Sequence, residues 1–245
     1  MADVTIKADF SMVKAMLTKA GRKAIPLATA KTLTFLAKNV EKKTYEEMQD
    51  KFDRPTPMVM KSLRVKTATA NDLHARVFVK GWPMAKTPNS MADVIGHQFS
   101  GGGRVLKRVE KRFRQAGLLD ADEYLVPGEK ARIDRYGNIS RGQVQQILSQ
   151  IGLSISGADN VKTDSPRSKK SVSRAGRMFW ADGTRGLAKG VWIGKKASVL
   201  PILMAVREPS YKALINMDAI EKEERDTNAV KIFDRVLKKE MEKYK

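Results

Sequence analysis

From Ser11 to Phe52 apolar and polar positions recur at helical spacing. Leu33, Leu36 or Ala37, Val40, Thr44 and Met48 fall on one face, and lysines and glutamates between Lys38 and Glu47 fill the opposite one. Gly21 and Pro26 are expected to divide this stretch into a short helix and a long one. Pro26 would then sit in the first turn of the second helix, where its missing N–H is harmless. Arg54-Pro-Thr-Pro57 ends the helical pattern, because each proline drives the residue before it into an extended conformation. The period then changes to two. Leu63, Val65, Thr67 and Thr69 alternate with Arg64, Lys66 and Ala68; after Asn71-Asp72 the positions Leu73, Ala75, Val77 and Val79 alternate again. This pattern predicts a β-hairpin closed by Trp82-Pro83.

The stretch from Pro83 to Gly103 is irregular and ends in three consecutive glycines. Arg104 to Gly117 reads as a basic helix with an apolar face of Val105, Leu106, Val109 and Phe113. Arg104, Lys107, Arg108, Lys111, Arg112 and Arg114 crowd the rest of it. Short strands are expected at Glu123 to Val126 and Ala131 to Asp134, the latter turning at Tyr136-Gly-Asn138. Ser140 is placed to cap a helix from Arg141 to Ile151, with Gln143 as capping-box partner. Ser154 to Arg177 is rich in Ser, Gly, Asp and Lys and nearly free of bulky apolar residues, so a mobile arm is expected there. Met178-Phe-Trp180, Val191-Trp-Ile193 and Val199 to Val206 read as three strands. The last is apolar enough for burial on both faces, with Pro201 among its first residues or at an edge. A final helix runs from about Met217 to Tyr244, with a stripe of Val230, Phe233, Val236 or Leu237, and Met241. Strands and helices do not alternate regularly, so the class is α+β. We expect long N- and C-terminal helices on a small, mostly antiparallel sheet. The division expected is one domain over 1–245, with 83–177 as an inserted helical and loop region carrying a mobile arm at 154–177.

Charge changes this picture. The chain has 47 Lys and Arg against 27 Asp and Glu, a net charge of +20 in 245 residues. Such a field attracts polyanions, and nucleic acid, anionic lipid or an acidic protein would all qualify. The basic helix and the arm, with Lys169, Lys170 and Arg174, are the candidate contacts for nucleic acid or a partner. Neither has interleaved aromatics or a helix-turn-helix pattern, so contact with phosphates is expected and base reading is not. There is no cysteine, which removes disulfides and thiolate metal sites. No secretory signal is visible in the first ten residues, and the longest apolar run falls far short of the ~20 residues a bilayer span needs. A soluble protein without membrane partners is expected.

Catalytic patterns are missing. His74 and His97 lack metal-ligand spacing, and Gly101-Gly-Gly-Arg104 is not a Walker loop. Ser100-Gly-Gly and Ser156-Gly-Ala lack the nucleophile-elbow frame. Glu46-Glu47 and Glu223-Glu224 read as solvated partners of nearby lysines. No enzyme activity, cofactor or metal is expected.

Several stretches resemble phage minor tail protein Z and related tail-completion and neck (head-tail joining) proteins of tailed bacteriophages. They are Arg22-Lys-Ala-Ile-Pro-Leu-Ala-Thr-Ala30, and Phe52-Asp-Arg-Pro-Thr-Pro57 followed by Lys61-Ser-Leu63 and the hairpin. They continue with Gly101-Gly-Gly-Arg through Leu119, Val126-Pro-Gly128, and Tyr136-Gly-Asn-Ile-Ser-Arg-Gly-Gln143. The last are Gly190-Val-Trp-Ile193 and Leu200-Pro-Ile-Leu-Met-Ala-Val206, with Pro209 and Tyr211. The matches span most of the chain and keep their order. The resemblance implies a virion structural protein, assembled in the host cytoplasm into a homo-oligomeric ring at the neck or tail around the DNA path. Its implied partners are other neck and tail proteins (connector, tail tube or adaptor), with non-specific contact to packaged DNA. It carries over no catalytic residue. The competing reading is a cytoplasmic accessory protein that binds nucleic acid without sequence preference.

Overall fold

The computed structural model describes residues 3–7, 19–80, 91–155, 165–195 and 198–244. In chain order the first elements are β1 (Asp3–Lys7), α1 (Lys19–Lys51), α2 (Pro57–Met60), β2 (Leu63–Lys66), β3 (His74–Val79), α3 (Met91–Ile95) and α4 (His97–Ser100). They are followed by α5 (Arg108–Gln115), β4 (Glu123–Pro127), α6 (Arg141–Ile151), α7 (Pro166–Ala175), β5 (Arg177–Ala181), β6 (Gly190–Lys195), β7 (Ser198–Arg207) and α8 (Met217–Met241). The protein is α+β, with small antiparallel sheets and long helices toward both ends of the chain. It divides into two compact units, Met1–Arg104 with Ser210–Lys245, and Val105–Pro209. The inserted piece therefore runs over 105–209 and not over the expected 83–177. The reason is pairing: β4 lies beside β7, so the three late strands complete the sheet that β4 begins.

In the first unit the strand order is β1-β3-β2. The hairpin forms as the alternation predicts, with Leu63 opposite Val79 and Val65 opposite Val77. Ala75, Val77 and Val79 are buried while His74 and Arg76 face outward. β1 adds a third strand, with Val4 buried opposite Val77. Sequence reading missed it, although Val4 and Ile6 alternate with Asp3, Thr5 and Lys7. The α1 stripe of Leu33, Leu36, Ala37, Val40, Thr44 and Met48 is buried in full and packs with Ile220, Ile232 and Val236 of α8. The expected break in α1 does not occur, and Pro26 lies inside one continuous helix. Its ring removes one ladder donor, a cost of about 3 kcal/mol that burial of this long stripe offsets. The α8 stripe also differs: Val230 is 73% exposed, whereas Ile232 and Val236 are buried. Glu221, Glu224 and Glu240 share the inward face, so the apolar pattern alone marks it badly. The hairpin closure at Trp82-Pro83 lies outside the described residues.

In the second unit the order is β4-β7-β6-β5, all antiparallel. Phe113 of α5 and Ile147 and Leu148 of α6 share one core with Leu125, Met178, Val191 and Leu203 of the sheet. β7 is a central strand with a bulge: Val191 pairs with Leu203 and Trp192 with Pro201, so the register skips Ile202. Both Ile202 and Leu203 consequently point into the core. A bulge also tolerates the missing N–H of Pro201 away from any edge. The rest of β7 is half-buried or exposed, not covered on both faces. Ala131 to Asp134 has one isolated bridge, Ile133 to Ile139, in place of the expected strand, and leads into a tight turn over Asp134 to Asn138. Asp134 Oδ1 closes it by accepting from the N–H groups of Tyr136 and Asn138, at 2.9 Å each. Ser140 caps α6 as expected. Gln143 instead binds the preceding loop, accepting from Arg132 N–H (2.6 Å) and donating to Lys130 C=O (2.8 Å). Within the expected mobile arm, residues 166–175 are helical, started by the Ser165 cap and Pro166 and stopped at Gly176. Residues 156–164 of it lie outside the described residues.

Candidate nucleic-acid interface

The basic segment is positioned by one buried carboxylate. Glu110 Oε2 accepts from the backbone N–H of Lys107 (2.6 Å), which starts α5 at Arg108 and not at Arg104. Its Oε1 accepts from Leu125 N–H on β4 (2.9 Å), tying helix to sheet. Phe113 is fully buried, with its ring 5.3 Å from that of Trp180. These anchors turn the helix and distribute its cations. Arg112 Nη1 donates to Leu153 C=O (3.3 Å). Arg114 Nη2 donates to Glu123 C=O (2.8 Å), and its guanidinium lies 5.3 Å from the Tyr124 ring centroid. Both arginines therefore hold the unit together as well as carrying charge. Lys107 and Arg108 are exposed, and Lys111 is half-buried. Arg104 belongs to the first unit. There burial, and next the Arg104 charge, hold the His97 imidazole below its ordinary range.

A groove of about 750 Å³ gathers Arg108 and Arg112 of α5 with Arg141 of α6. Gln146, whose buried Oε1 has no hydrogen-bond partner among the described residues, lines the same groove. A second groove of about 750 Å³ brings Lys169 of α7 beside Arg177, Phe179 and Trp180 of β5. No carboxylate is among the described residues lining either one. Guanidinium groups stay charged at any accessible pH and offer forked donors to phosphate oxygens. The first groove is thus suited to backbone phosphates. The second adds aromatic faces to its cations, the combination that holds single strands. Lys107, Lys111, Arg114, Lys170 and Arg174 line neither groove, and Lys170 and Arg174 are exposed on α7. Sequence reading did not single out Arg141, and it included Arg177 only as the last residue of the expected arm. Arg141 follows a cap residue and Arg177 opens a strand, and only the tertiary fold sets them beside the other cations.

The remaining candidates have other partners. His74 is exposed, with Nδ1 2.7 Å from Asp72 Oδ1, and the half-buried His97 ring stands 4.6 Å from that of Tyr211. Among the described residues no group of three or more His, Cys, Asp or Glu could hold a metal ion. The glycine run is used in a backbone bridge: Gly102 and Tyr211 exchange N–H···O=C bonds of 2.9 Å in both directions. Glu46 and Glu47 pair with Lys42 and Lys51 as expected. Glu224 is not the solvated residue its neighbours suggest, and only 1% of its side chain is exposed. No described helix is long and apolar enough to cross a membrane. Comparison with protein-family models, with curated proteins and with solved structures finds no match to this chain.

Proposed function

We propose that this chain is a structural subunit of a tailed-phage virion, forming an oligomeric ring at the neck or tail around the DNA path. The observation that carries the reading is the ordered series of segments resembling minor tail protein Z and related tail-completion and neck proteins. Support comes from where those segments fall. Val126-Pro-Gly128 ends β4 against β7, and a Cβ on Gly128 would meet the Pro201 carbonyl oxygen at 2.8 Å. Tyr136 to Gln143 makes the tight turn, the cap and the loop tie of α6. Gly190-Val-Trp-Ile193 and Leu200 to Val206 are neighbouring strands of one sheet. These resembling residues are thus ones on which the backbone geometry of the second unit depends. The grooves around Arg108, Arg112, Arg141, Lys169 and Arg177, with no carboxylate among their described lining residues, suit a subunit that faces DNA without reading it.

Cryo-electron microscopy of complete phage particles tests this directly. A symmetric collar into which this chain can be traced, at the head–tail junction or the tail end, is the expected result. If the protein is found only in infected-cell lysate and not in complete particles, the structural role is refuted. The grooves would then favour the nucleic-acid-binding accessory protein.

A further inference from the structure

α8 carries two opposed surfaces within the first unit. On one of them Val230 is 73% exposed, with exposed Asp226 and Asp234 four residues to either side. Acid, apolar and acid therefore follow one another along a line of the helix. Lys239, nine residues beyond Val230, lies about 180° round the same helix at ~100° per residue. On that side a groove of about 680 Å³ lies between α1, α8 and the turn from β2 to β3. Its apolar lining includes Leu27, Val236 and Phe35, the last 44% exposed. Lys38, Arg235 and Lys239 stand around it, and none has a carboxylate partner among the described residues. Glu240, the one carboxylate among the described lining residues, is already bound by Lys31 (2.5 Å) and Lys243 (3.0 Å).

We propose that this groove takes the Asp226–Val230–Asp234 stripe of a second copy of the chain. Val230 supplies a branched apolar group for the floor beside Phe35, and the two aspartates meet the uncompensated cations. The two surfaces face away from each other, so the contact joins unlike patches of successive copies. Such a head-to-tail contact repeats until a ring closes, or extends as a filament if it does not. With a net charge of +20, copies repel at long range, and association needs a local match of this kind. The inference rests on the ring reading above and names the contact that would build the ring.

Sedimentation velocity of the full chain tests it with two double variants, Lys38→Glu with Arg235→Glu, and Asp226→Lys with Asp234→Lys. All four positions are exposed, and circular dichroism should report the wild-type fold for both variants. The wild type is expected to self-associate, and each double variant alone to associate at least about tenfold more weakly, because like charges then meet. An equimolar mixture should regain assembly, since reversed stripe meets reversed groove and native meets native. If both variants assemble as well as the wild type, or the mixture gains nothing, this contact is refuted while a ring through another interface stands. A wild type that stays monomeric at every concentration refutes the contact as well. The virion reading is then decided separately by the particle maps.

Discussion

A glutamate amid lysines on a helix ordinarily faces water, yet Glu224 is held inside the first unit by three donors. Asn39 Nδ2 (2.6 Å) and Asn228 Nδ2 (2.8 Å) both donate to its Oε1, and Lys43 Nζ lies 3.1 Å from its Oε2. Burial pushes the carboxyl up, but the donors together outweigh it and hold the group below its ordinary range. The folded pKa therefore lies below the unfolded value of about 4.3. This stabilisation is fully present above that pH and is lost as pH falls through the folded pKa. Urea unfolding should show the wild type losing stability from about pH 5 downward relative to Glu224→Gln, which lacks this titration. Parallel pH profiles for the two proteins would refute the role. Glu224→Ala strands both amides and should cost about 2 kcal/mol at neutral pH. Lys43, with 37% of its side chain exposed, is screened by solvent, and Lys43→Ala should cost less than about 1 kcal/mol.

At the scale of elements, the start of α5 hangs on Glu110, which is fully buried and accepts from Lys107 and Leu125 N–H groups. Glu110→Ala removes the acceptor of the buried Leu125 N–H and of the partly buried Lys107 N–H and should destabilise by about 2 kcal/mol. Hydrogen exchange should quicken at the Leu125 amide and through α5, and unchanged protection there would show that the helix is held by other interactions. Gly190 plays the matching part in the sheet. At φ 156°, a Cβ on it would meet the Leu203 carbonyl oxygen at 2.2 Å. Gly190→Ala should therefore separate β6 from β7 and lower the melting temperature by several degrees or more, as a loss of about 2 kcal/mol requires. An unshifted melting curve would contradict this packing. Elements with an uninterrupted pattern were legible in sequence. The α1 stripe, the hairpin and the strands at Met178, Val191 and Val199 all stand where periodicity placed them. Legibility failed where polar groups do the work of apolar ones or where the signal is short. Inward glutamates hid the register of α8, and five residues gave β1 too little pattern. α7 has only Val172 as a larger apolar residue, so its start signal, Ser165-Pro166, was outweighed by composition.

Across the whole molecule the excess of 20 positive charges was plain in the sequence, but its arrangement was not. Of the cations in the basic segment, Arg112 and Arg114 are partly committed to backbone carbonyls, and Arg104 belongs to the other unit. The grooves are completed by Arg141 and Arg177, which the tertiary fold supplies. If the groove between α5 and α6 meets DNA, its cations displace counterions one by one, and affinity must fall with salt in proportion to their number. Arg108 and Arg141 are both exposed, so removing them leaves the core of the second unit untouched. The full chain should bind duplex DNA of unrelated sequences with equal affinity, and a plot of log K against log salt should be steep. The double variant Arg108→Ala with Arg141→Ala should flatten that slope by about 1.8, at about 0.9 for each phosphate that is no longer neutralised, equally for every sequence. An unchanged slope would place the DNA on another face of the protein. A weakening confined to certain sequences would mean that the arginines read bases, which a passive lining of a DNA path has no need to do.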